Sequence, residues 1–480
     1  MQKSNVLQDY KKMKTMISYY IKQQKWEKAL KTIFFASSFM YMMNQLYYDD
    51  DLEDQLHYIA ASILKKPASK SRNSQKIIFY DSFGNVGRGL AYIYLKALCE
   101  LKYDIEYITV ANDALSRQVI AELLGEKGRI YTLDGIENSQ KMKVLQQIIE
   151  QSEAKICFLH TMPDDVVGIG TFSLYDKILK RYMINMTDHA FWLGKNACDY
   201  VINFRQFGYL VCNQKREIQK EKLLYLPYYP QTDLMDQGDD IGTSAKQVIF
   251  SGGGIYKTYS KDKMYYRLVE NILDRYENII FSYCGNGYSK DMKRLKNKYP
   301  DRIRWERERT DFYSLMKQCT FYLSTYPYNG GLMTQYALRA GKIPVTFCDC
   351  GVDRELTIRD DDSFWNFYSI DETIKYIDKL LGSEEFRINQ EKRLSDFLID
   401  SDIFCKELEN VLQTNCSKRR ITKTEIKTDG TEHYPLELYE GMNYYRLFIR
   451  RGCSHMIRRF PIKYTLGALT YITNKMLGRY

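Results

Sequence analysis

The amino-acid sequence predicts an α/β protein with two doubly wound domains, preceded by a small helical segment. Short apolar runs alternate with helical segments in two successive series, which is typical of βαβ units and parallel sheets. A polar stretch at 231–246 separates the two series, and residues 1–65 have helical periodicity without Gly or Pro. The predicted division is a helical segment at 1–70, α/β domains at 76–230 and 246–415, and a basic C-terminal segment at 416–480.

Each predicted element follows from its local pattern. Residues 1–65 are predicted to form one helical hairpin. The strands expected in the first domain are Lys76–Tyr80, Ile105–Val110, Ile130–Leu133, Ile156–His160, Met183–Met186 and Tyr200–Phe204. Those expected in the second are Val248–Phe250, Ile279–Tyr283, Ile303–Trp305, Phe321–Leu323 and Ile343–Phe347. Ligands of such sheets bind beyond the carboxyl ends of the strands, so the site is expected in a cleft between the two domains.

Composition restricts the class of protein. Apolar residues make up 45% and charged residues 27% of the 480 residues, which is ordinary for a globular chain and excludes extensive disorder. No apolar run approaches the roughly 18–20 residues of a membrane span, and the N-terminus has no secretory signal. The eleven cysteines form no Cys-x-x-Cys motif or zinc pattern. These features predict a cytoplasmic protein with reduced thiols.

The net charge of +10 is concentrated at the C-terminus. Residues 441–480 contain eight Lys or Arg and no acid, which leaves +2 for the remaining 440 residues. Basic residues mixed with the aromatic side chains of this segment predict peripheral contact with an anionic membrane at its inner face. A solvated helix packed on the body of the protein is the alternative. The nearly neutral body argues against nucleic-acid binding.

Three glycine-rich turns follow predicted strands of the second domain. Such turns let backbone N–H groups approach a ligand, and a helix N-terminus favours anions. We expect them to meet at one sheet edge and to suit a diphosphate, although each alone is also typical of an ordinary strand–turn–helix connection. The residues of these turns that are candidates for binding the diphosphate are Gly253, Gly254, Lys257, Gly285, Asn329, Gly330, Gly331 and Thr334.

Two histidines stand near strand ends of the first domain. His189 follows a strand and is flanked by Asp188, and His160 ends another strand. Either could act in acid–base chemistry or make a structural hydrogen bond. The glycines of DSFGNVGRG (81–89) do not have the G-x-G-x-x-G spacing, so this segment indicates a close-packed turn and not a dinucleotide loop. The acidic runs at 49–51 and 360–362 have no converging partners, and no metal site is inferred.

Residues 76 to about 415 resemble the GT-B glycosyltransferases. IFSGGGIYKT resembles that family's loop with a phosphate-contacting lysine, which maps to Lys257. NGGLMTQYALRAGKIPVT resembles the helix that cradles the diphosphate, which maps to Asn329 through Thr334 and includes Leu332. ICFLHTMPDD and MINMTDHAFWLG resemble strand ends of the acceptor domain. The DSFGN, IYK and NGG-x-x-T segments are most similar to the O-GlcNAc-transferase-like group.

The chain also departs from this pattern. Leu332 and Met333 stand where the group has paired threonines. Tyr328 and Tyr336 lie near the places of the paired glutamates found in many retaining GT-B enzymes. The catalytic group is therefore not assigned by the resemblance.

The resemblance implies a metal-independent glycosyltransferase that uses no cofactor. It would move a sugar from a nucleoside-diphosphate-sugar, expected to be a UDP-sugar, to a saccharide, lipid-linked or protein acceptor, as in surface polysaccharide or glycoconjugate assembly. His189 is the expected catalytic residue, with Asp188 orienting it, and Gly84, Asn85 and His160 are expected on the acceptor side. A non-catalytic GT-B-like partner and a sugar-nucleotide epimerase remain alternatives, and a nicotinamide oxidoreductase is disfavoured by the glycine spacing.

Overall fold

The structure, a computed structural model, divides the chain into two compact units. It describes residues 3–68, 71–84, 89–110, 114–133, 137–232, 247–260, 262–307, 309–348, 365–422, 424–426 and 454–476. Within these ranges, unit 1 comprises the residues up to Tyr228, Ser401–Glu425 and 454–471. Unit 2 comprises Tyr229–Asp400, Ile426 and 472–476.

The helical segment of unit 1 contains three helices, so the prediction of a single hairpin was one helix short. They are α1 (Lys3–Lys22), α2 (Trp26–Met43) and α3 (Asp50–Ile63). The side chain of Asp49 caps α3 by accepting a hydrogen bond of 3.0 Å from Leu52 N. Three acidic residues follow in the first turn of α3, where negative charge interacts favourably with the helix dipole.

Unit 1 contains a seven-stranded parallel sheet in the order β3-β2-β1-β4-β5-β6-β7. Its strands are β1 (Asn73–Asp81), β2 (Asp104–Thr109), β3 (Arg129–Thr132), β4 (Ala154–His160), β5 (Lys180–Ile184), β6 (Tyr200–Asn203) and β7 (Leu223–Tyr225). The helices between them are α4 (Leu90–Glu100), α5 (Ala114–Leu124), α6 (Asn138–Ser152), α7 (Val166–Ser173) and α8 (Gln206–Gln214).

Unit 2 contains a six-stranded parallel sheet in the order β10-β9-β8-β11-β12-β13. Its strands are β8 (Gln247–Gly252), β9 (Ile279–Cys284), β10 (Ile303–Glu306), β11 (Phe321–Leu323), β12 (Pro344–Phe347) and β13 (Asn366–Phe367). Its helices are α9 (Met264–Arg275), α10 (Lys290–Lys298), α11 (Phe312–Lys317), α12 (Gly331–Arg339), α13 (Ile370–Gly382) and α14 (Glu384–Lys392). Two parallel sheets with interleaved helices confirm the predicted α/β fold class.

The chain returns to unit 1 after the second sheet. Helix α15 (Ser401–Thr414) packs on α4, where the ring of Phe404 meets that of Tyr94 edge-on at 5.1 Å. Asn415 Oδ1 then accepts a hydrogen bond of 2.8 Å from Tyr182 OH on β5. Residues 401–415, which were predicted to belong to the second domain, therefore belong to unit 1. Helix α16 (Pro461–Met476) is the last described element.

A buried carboxylate joins the helical segment to the sheet of unit 1. Glu53 on α3 accepts hydrogen bonds from the backbone N–H groups of Gly194, Lys195 and Asn196, at 2.7, 3.0 and 2.8 Å. Burial raises the pKa of Glu53 to about 7, although the three N–H donors act in the opposite direction. Glu53 thus fastens α3 to the loop between β5 and β6.

The raised pKa of Glu53 makes the stability of the protein depend on pH. Between pH 4.5 and about 7 the folded chain holds a proton on Glu53 that the unfolded chain has released. The free energy of unfolding therefore falls as pH rises through this window, by an amount on the order of 3 kcal/mol. Glu53→Gln cannot titrate and should remove this decrease, as measured by urea unfolding at about pH 5 and about pH 7.5.

The matched control is Glu384→Gln, a change at a side chain that is 78% exposed. It should leave the pH dependence as it is in the unaltered chain. An undiminished pH dependence in Glu53→Gln would show that another group is responsible.

Candidate functional site

Each sheet has one place where the strand order reverses, and candidate residues lie beside both. In unit 1 the reversal falls between β1 and β4, and in unit 2 between β8 and β11. The loops that leave the two strands at such a point diverge to opposite faces, which opens a crevice at their carboxyl ends. In unit 1, Asp81 and His160 are register partners and the last residues of their strands.

The loops after β8 and β9 lie against each other, backbone to backbone. Gly253 N donates to Cys284 O and Ile255 N donates to Asn286 O, both at 2.9 Å. A Cβ atom on Gly285 would lie 1.9 Å from Gly253 O, and Gly253 itself has a φ of +118°. Only glycines permit this approach, which brings two of the predicted turns together.

Lys257 connects these loops to the third turn. It lies in a 3₁₀ turn, Ile255–Thr258, and its carbonyl accepts a hydrogen bond of 3.2 Å from Tyr328 N. Its Nζ is 3.5 Å from the position that a Cβ atom on Gly330 would occupy. The ammonium group therefore stands beside the start of α12.

The N-terminus of α12 adds further attraction for an anion. Its N-cap is Gly330, which has no side chain to occupy the N–H groups of the first turn. Thr334 N donates to Gly330 O at 2.9 Å, while Thr334 Oγ1 is buried and has no hydrogen-bond partner among the described residues. Leu332 packs against apolar residues of unit 2. Lys257, the helix dipole and these N–H groups form a cationic cradle suited to a diphosphate.

A hydrogen-bonded network surrounds Asp81 in unit 1. Asp81 Oδ1 lies 2.9 Å from His160 Nδ1 and accepts from Phe83 N and Gly84 N at 3.0 and 3.1 Å. Its Oδ2 accepts from Tyr107 OH at 2.7 Å. Burial raises the pKa of Asp81, but His160, Tyr107 and the N–H donors outweigh burial and hold the pKa below its usual value. The network fixes the turn that begins after β1.

His189 lies on the loop after β5, with 30% of its side chain exposed. Its Nδ1 is 3.5 Å from Asp188 Oδ1. Both Asp188 oxygens also accept hydrogen bonds from Arg205, at 2.6 and 2.9 Å. Although burial raises the pKa of Asp188, Arg205 outweighs burial and depresses it strongly. Asp188 is thus an ionised group shared between Arg205 and His189.

A buried guanidinium holds this loop in place. Arg216 donates to Thr187 O and Asp188 O, each at 3.2 Å, and also to Ala190 O. Its guanidinium lies over the rings of Tyr47 and Trp192, with centroid distances of 5.2 and 4.8 Å.

The helical segment also contacts the His189 loop directly. Asn44 Nδ2 donates to His189 O at 3.3 Å. Sequence reasoning missed both Asn44 and Arg216, because nothing local to either residue indicates this contact. Asp81 could have been predicted, since it ends a strand and begins the glycine-containing segment at 81–89.

The predicted site residues thus form two groups. In unit 2, the turns holding Gly253, Gly285 and Gly330 come together around Lys257. In unit 1, Gly84 and His160 meet at Asp81, whereas Asn85 lies outside the described residues. Within the described ranges, no three His, Cys, Asp or Glu side chains converge as metal ligands would.

Comparison with known proteins identifies the fold. No family model matches the sequence, and no curated protein matches it. A Thermobaculum terrenum O-GlcNAc transferase mutant is similar in structure, with 15% identity, 80% of each chain covered and a TM-score of 0.50. Anabaena HepE in complex with UDP and glucose has 12% identity over 71% of this chain and 99% of that one, with a TM-score of 0.50.

A third similar structure is a putative UDP-N-acetylglucosamine 2-epimerase from Listeria monocytogenes. The match has 8% identity and a TM-score of 0.51, and it covers 74% of this chain and 100% of the Listeria chain. The chain therefore has the GT-B fold, as the sequence motifs predicted. A transferase and a putative epimerase both occur among these structures, so the fold alone does not determine the reaction.

The contact between Gly285 and Gly253 generates a stability prediction. Gly285→Ala places a methyl group in collision with a backbone carbonyl, so the two loops must separate. The expected loss is about 1–3 kcal/mol of unfolding free energy, measured by urea unfolding.

The control is Gly382→Ala, which adds the same methyl group at the end of α13, where a Cβ atom meets nothing within 4 Å. It should be neutral or slightly stabilising. Equal stability of the two variants would contradict the close approach of the loops.

Proposed function

We propose that the protein is a glycosyltransferase that moves a sugar from a nucleoside-diphosphate-sugar to an acceptor hydroxyl. The observation that carries the proposal is the cradle in unit 2, where Lys257 stands beside the N-terminus of α12 at the point where the strand order reverses. A diphosphate is the leaving group of such a transfer. Groups that bind it in the ground state also stabilise the negative charge that develops on it.

The proposed mechanism is independent of a metal. Lys257 and the first-turn N–H groups of α12 supply positive charge at the leaving diphosphate. Thr334 Oγ1, which is buried without a partner among the described residues, is available as a further donor. The expected donor is a UDP-sugar, which the UDP bound in the similar HepE structure supports.

On the acceptor side, we assign the proton transfer to His189. Its Nδ1 faces Asp188, so Nε2 would take the proton of the attacking hydroxyl. Arg205 keeps Asp188 ionised, and Arg216 and Asn44 hold the loop. His160 is a positioning residue in this scheme, because it and Asp81 shape the turn at Gly84.

The acceptor we propose is a lipid-linked saccharide at the inner membrane face, as in surface polysaccharide or glycoconjugate assembly. The basic C-terminal segment supports this choice. If the acceptor is instead a soluble saccharide or a protein, sugar transfer should proceed equally well in the absence of a membrane.

A non-catalytic role beside another glycosyltransferase is the second candidate. Tyr328 and Tyr336 favour it, since they stand near the places of the paired glutamates found in many retaining GT-B enzymes. This candidate predicts that this chain contributes no turnover of its own, even with the partner enzyme supplied. An epimerase would instead change the nucleotide-sugar without any acceptor.

The donor site is tested by Lys257→Ala. Calorimetric titration with a panel of nucleoside diphosphates and their sugars should show binding of uridine nucleotides to the unaltered chain. Loss of one charge-assisted contact should weaken this binding about tenfold or more.

The control for this titration is Lys293→Ala, which removes an exposed lysine of α10 in the same unit and should not change affinity. If no nucleotide binds the unaltered chain, the transferase assignment fails.

The acceptor-side assignment is tested by His189→Gln. This change should lower kcat by about 10²–10⁴-fold while nucleotide binding by calorimetry stays unchanged, because the donor cradle lies in the other unit.

The matched control is His57→Gln, which alters a histidine on the exposed surface of α3 that lies near Ser173 Oγ. It should keep full activity. Full activity of His189→Gln would remove His189 from the mechanism.

A further inference from the structure

Helix α16 presents a largely aliphatic face to solvent. At 100° per residue, its exposed apolar side chains fall within about 120° of the helix circumference. Their exposed fractions run from 46% to 82%. Exposed large apolar side chains elsewhere in the described residues are scattered among different elements. The members of this face are Ile462, Leu466, Leu469, Ile472 and Met476.

The other side of α16 is fastened to unit 1, so the aliphatic face has a defined direction. Phe460, just before the helix, is buried in the core of unit 1, and Tyr464 packs against the same core. Lys463 pairs with Asp9 of α1. Phe460 and Tyr464 are aromatic residues of the C-terminal segment that was predicted to contact a membrane. The structure instead turns both inward and exposes aliphatic side chains.

The charge of the segment indicates what covers this face. Residues 441–480 carry eight basic residues and no acid, and Arg458 and Arg459 are exposed beside the start of α16. A second copy of the chain would bring the same positive charge to the contact and be repelled. A lipid surface with anionic head groups offers negative charge and an apolar layer together.

We propose that α16 lies in the plane of an anionic membrane, with its aliphatic face inserted at the boundary between head groups and acyl chains. The basic residues of the segment contact the head groups. None of the described helices is long and apolar enough to cross a bilayer. The proposal goes beyond the reaction assigned above, because it stands on the surface of α16 and not on the donor or acceptor site.

The experiment is flotation of the purified full chain with two kinds of vesicle. One contains phosphatidylcholine with about one third phosphatidylglycerol, and the other contains phosphatidylcholine alone. The chain should bind the anionic vesicles at least about tenfold more tightly. Leu466→Ser/Leu469→Ser should weaken that binding about tenfold or more, because it removes two inserting side chains.

The matched control is Ile388→Ser/Ile403→Ser, which removes two exposed aliphatic side chains from α14 and α15. It should bind vesicles as the unaltered chain does. Arg458→Gln/Arg459→Gln should weaken binding by about fivefold per charge and reduce its dependence on salt.

Three results would overturn the proposal. The first is no binding to anionic vesicles. The second is undiminished binding by Leu466→Ser/Leu469→Ser, which would mean electrostatic attachment without insertion. The third is dimerisation in analytical ultracentrifugation that this variant abolishes, which would assign the face to a second copy. Circular dichroism shows whether the same variant is folded, and nucleotide titration separates this failure from failure of the transferase assignment.

Discussion

The parallel pairing of β1 with β4, and of β8 with β11, determines where the candidate residues lie. Parallel strands place all their carboxyl ends at one edge, and the reversal of strand order selects one position along that edge. In unit 1 this position holds Asp81 and His160, which are register partners. In unit 2 it holds the glycine turns after β8 and β11. Without these pairings the same residues would be separate loop positions with no common chemistry.

The two units build their sites by different physical means. Unit 2 uses backbone groups, because glycines allow Gly253 and Gly285 to approach within a distance that no side chain permits. Unit 1 uses buried polar side chains, of which the carboxyl group of Glu53 and the guanidinium of Arg216 hold the loop that carries His189. A buried polar group is costly to leave unpaired, so each fixes its surroundings strongly. The helical segment supplies Glu53 and therefore helps to hold the loop between β5 and β6.

The fold was largely predictable from the sequence, and the candidate site only in part. Buried parallel strands are continuous apolar runs, so eleven of them were recognised. The two half-buried residues of β13 gave no such signal, and the short apolar run of β7 was not recognised as a strand. Glycine turns were found because the signal is local. Arg216 was missed, since arginine is ordinarily exposed and its burial here depends on rings from two distant segments. The exposed face of α16 was not predicted either, because it depends on which side of the helix packs against unit 1.

The departures at Leu332 and Met333 weigh less against nucleotide binding than their position suggests. The attraction that we propose between a diphosphate and α12 arises from backbone N–H groups and the helix dipole, which do not depend on the side chains of the first turn. What the substitutions remove is hydroxyl groups, and Thr334 retains one within that turn. Donor binding and catalysis are therefore separable in the proposed function, in which catalysis is assigned to the side chains of unit 1.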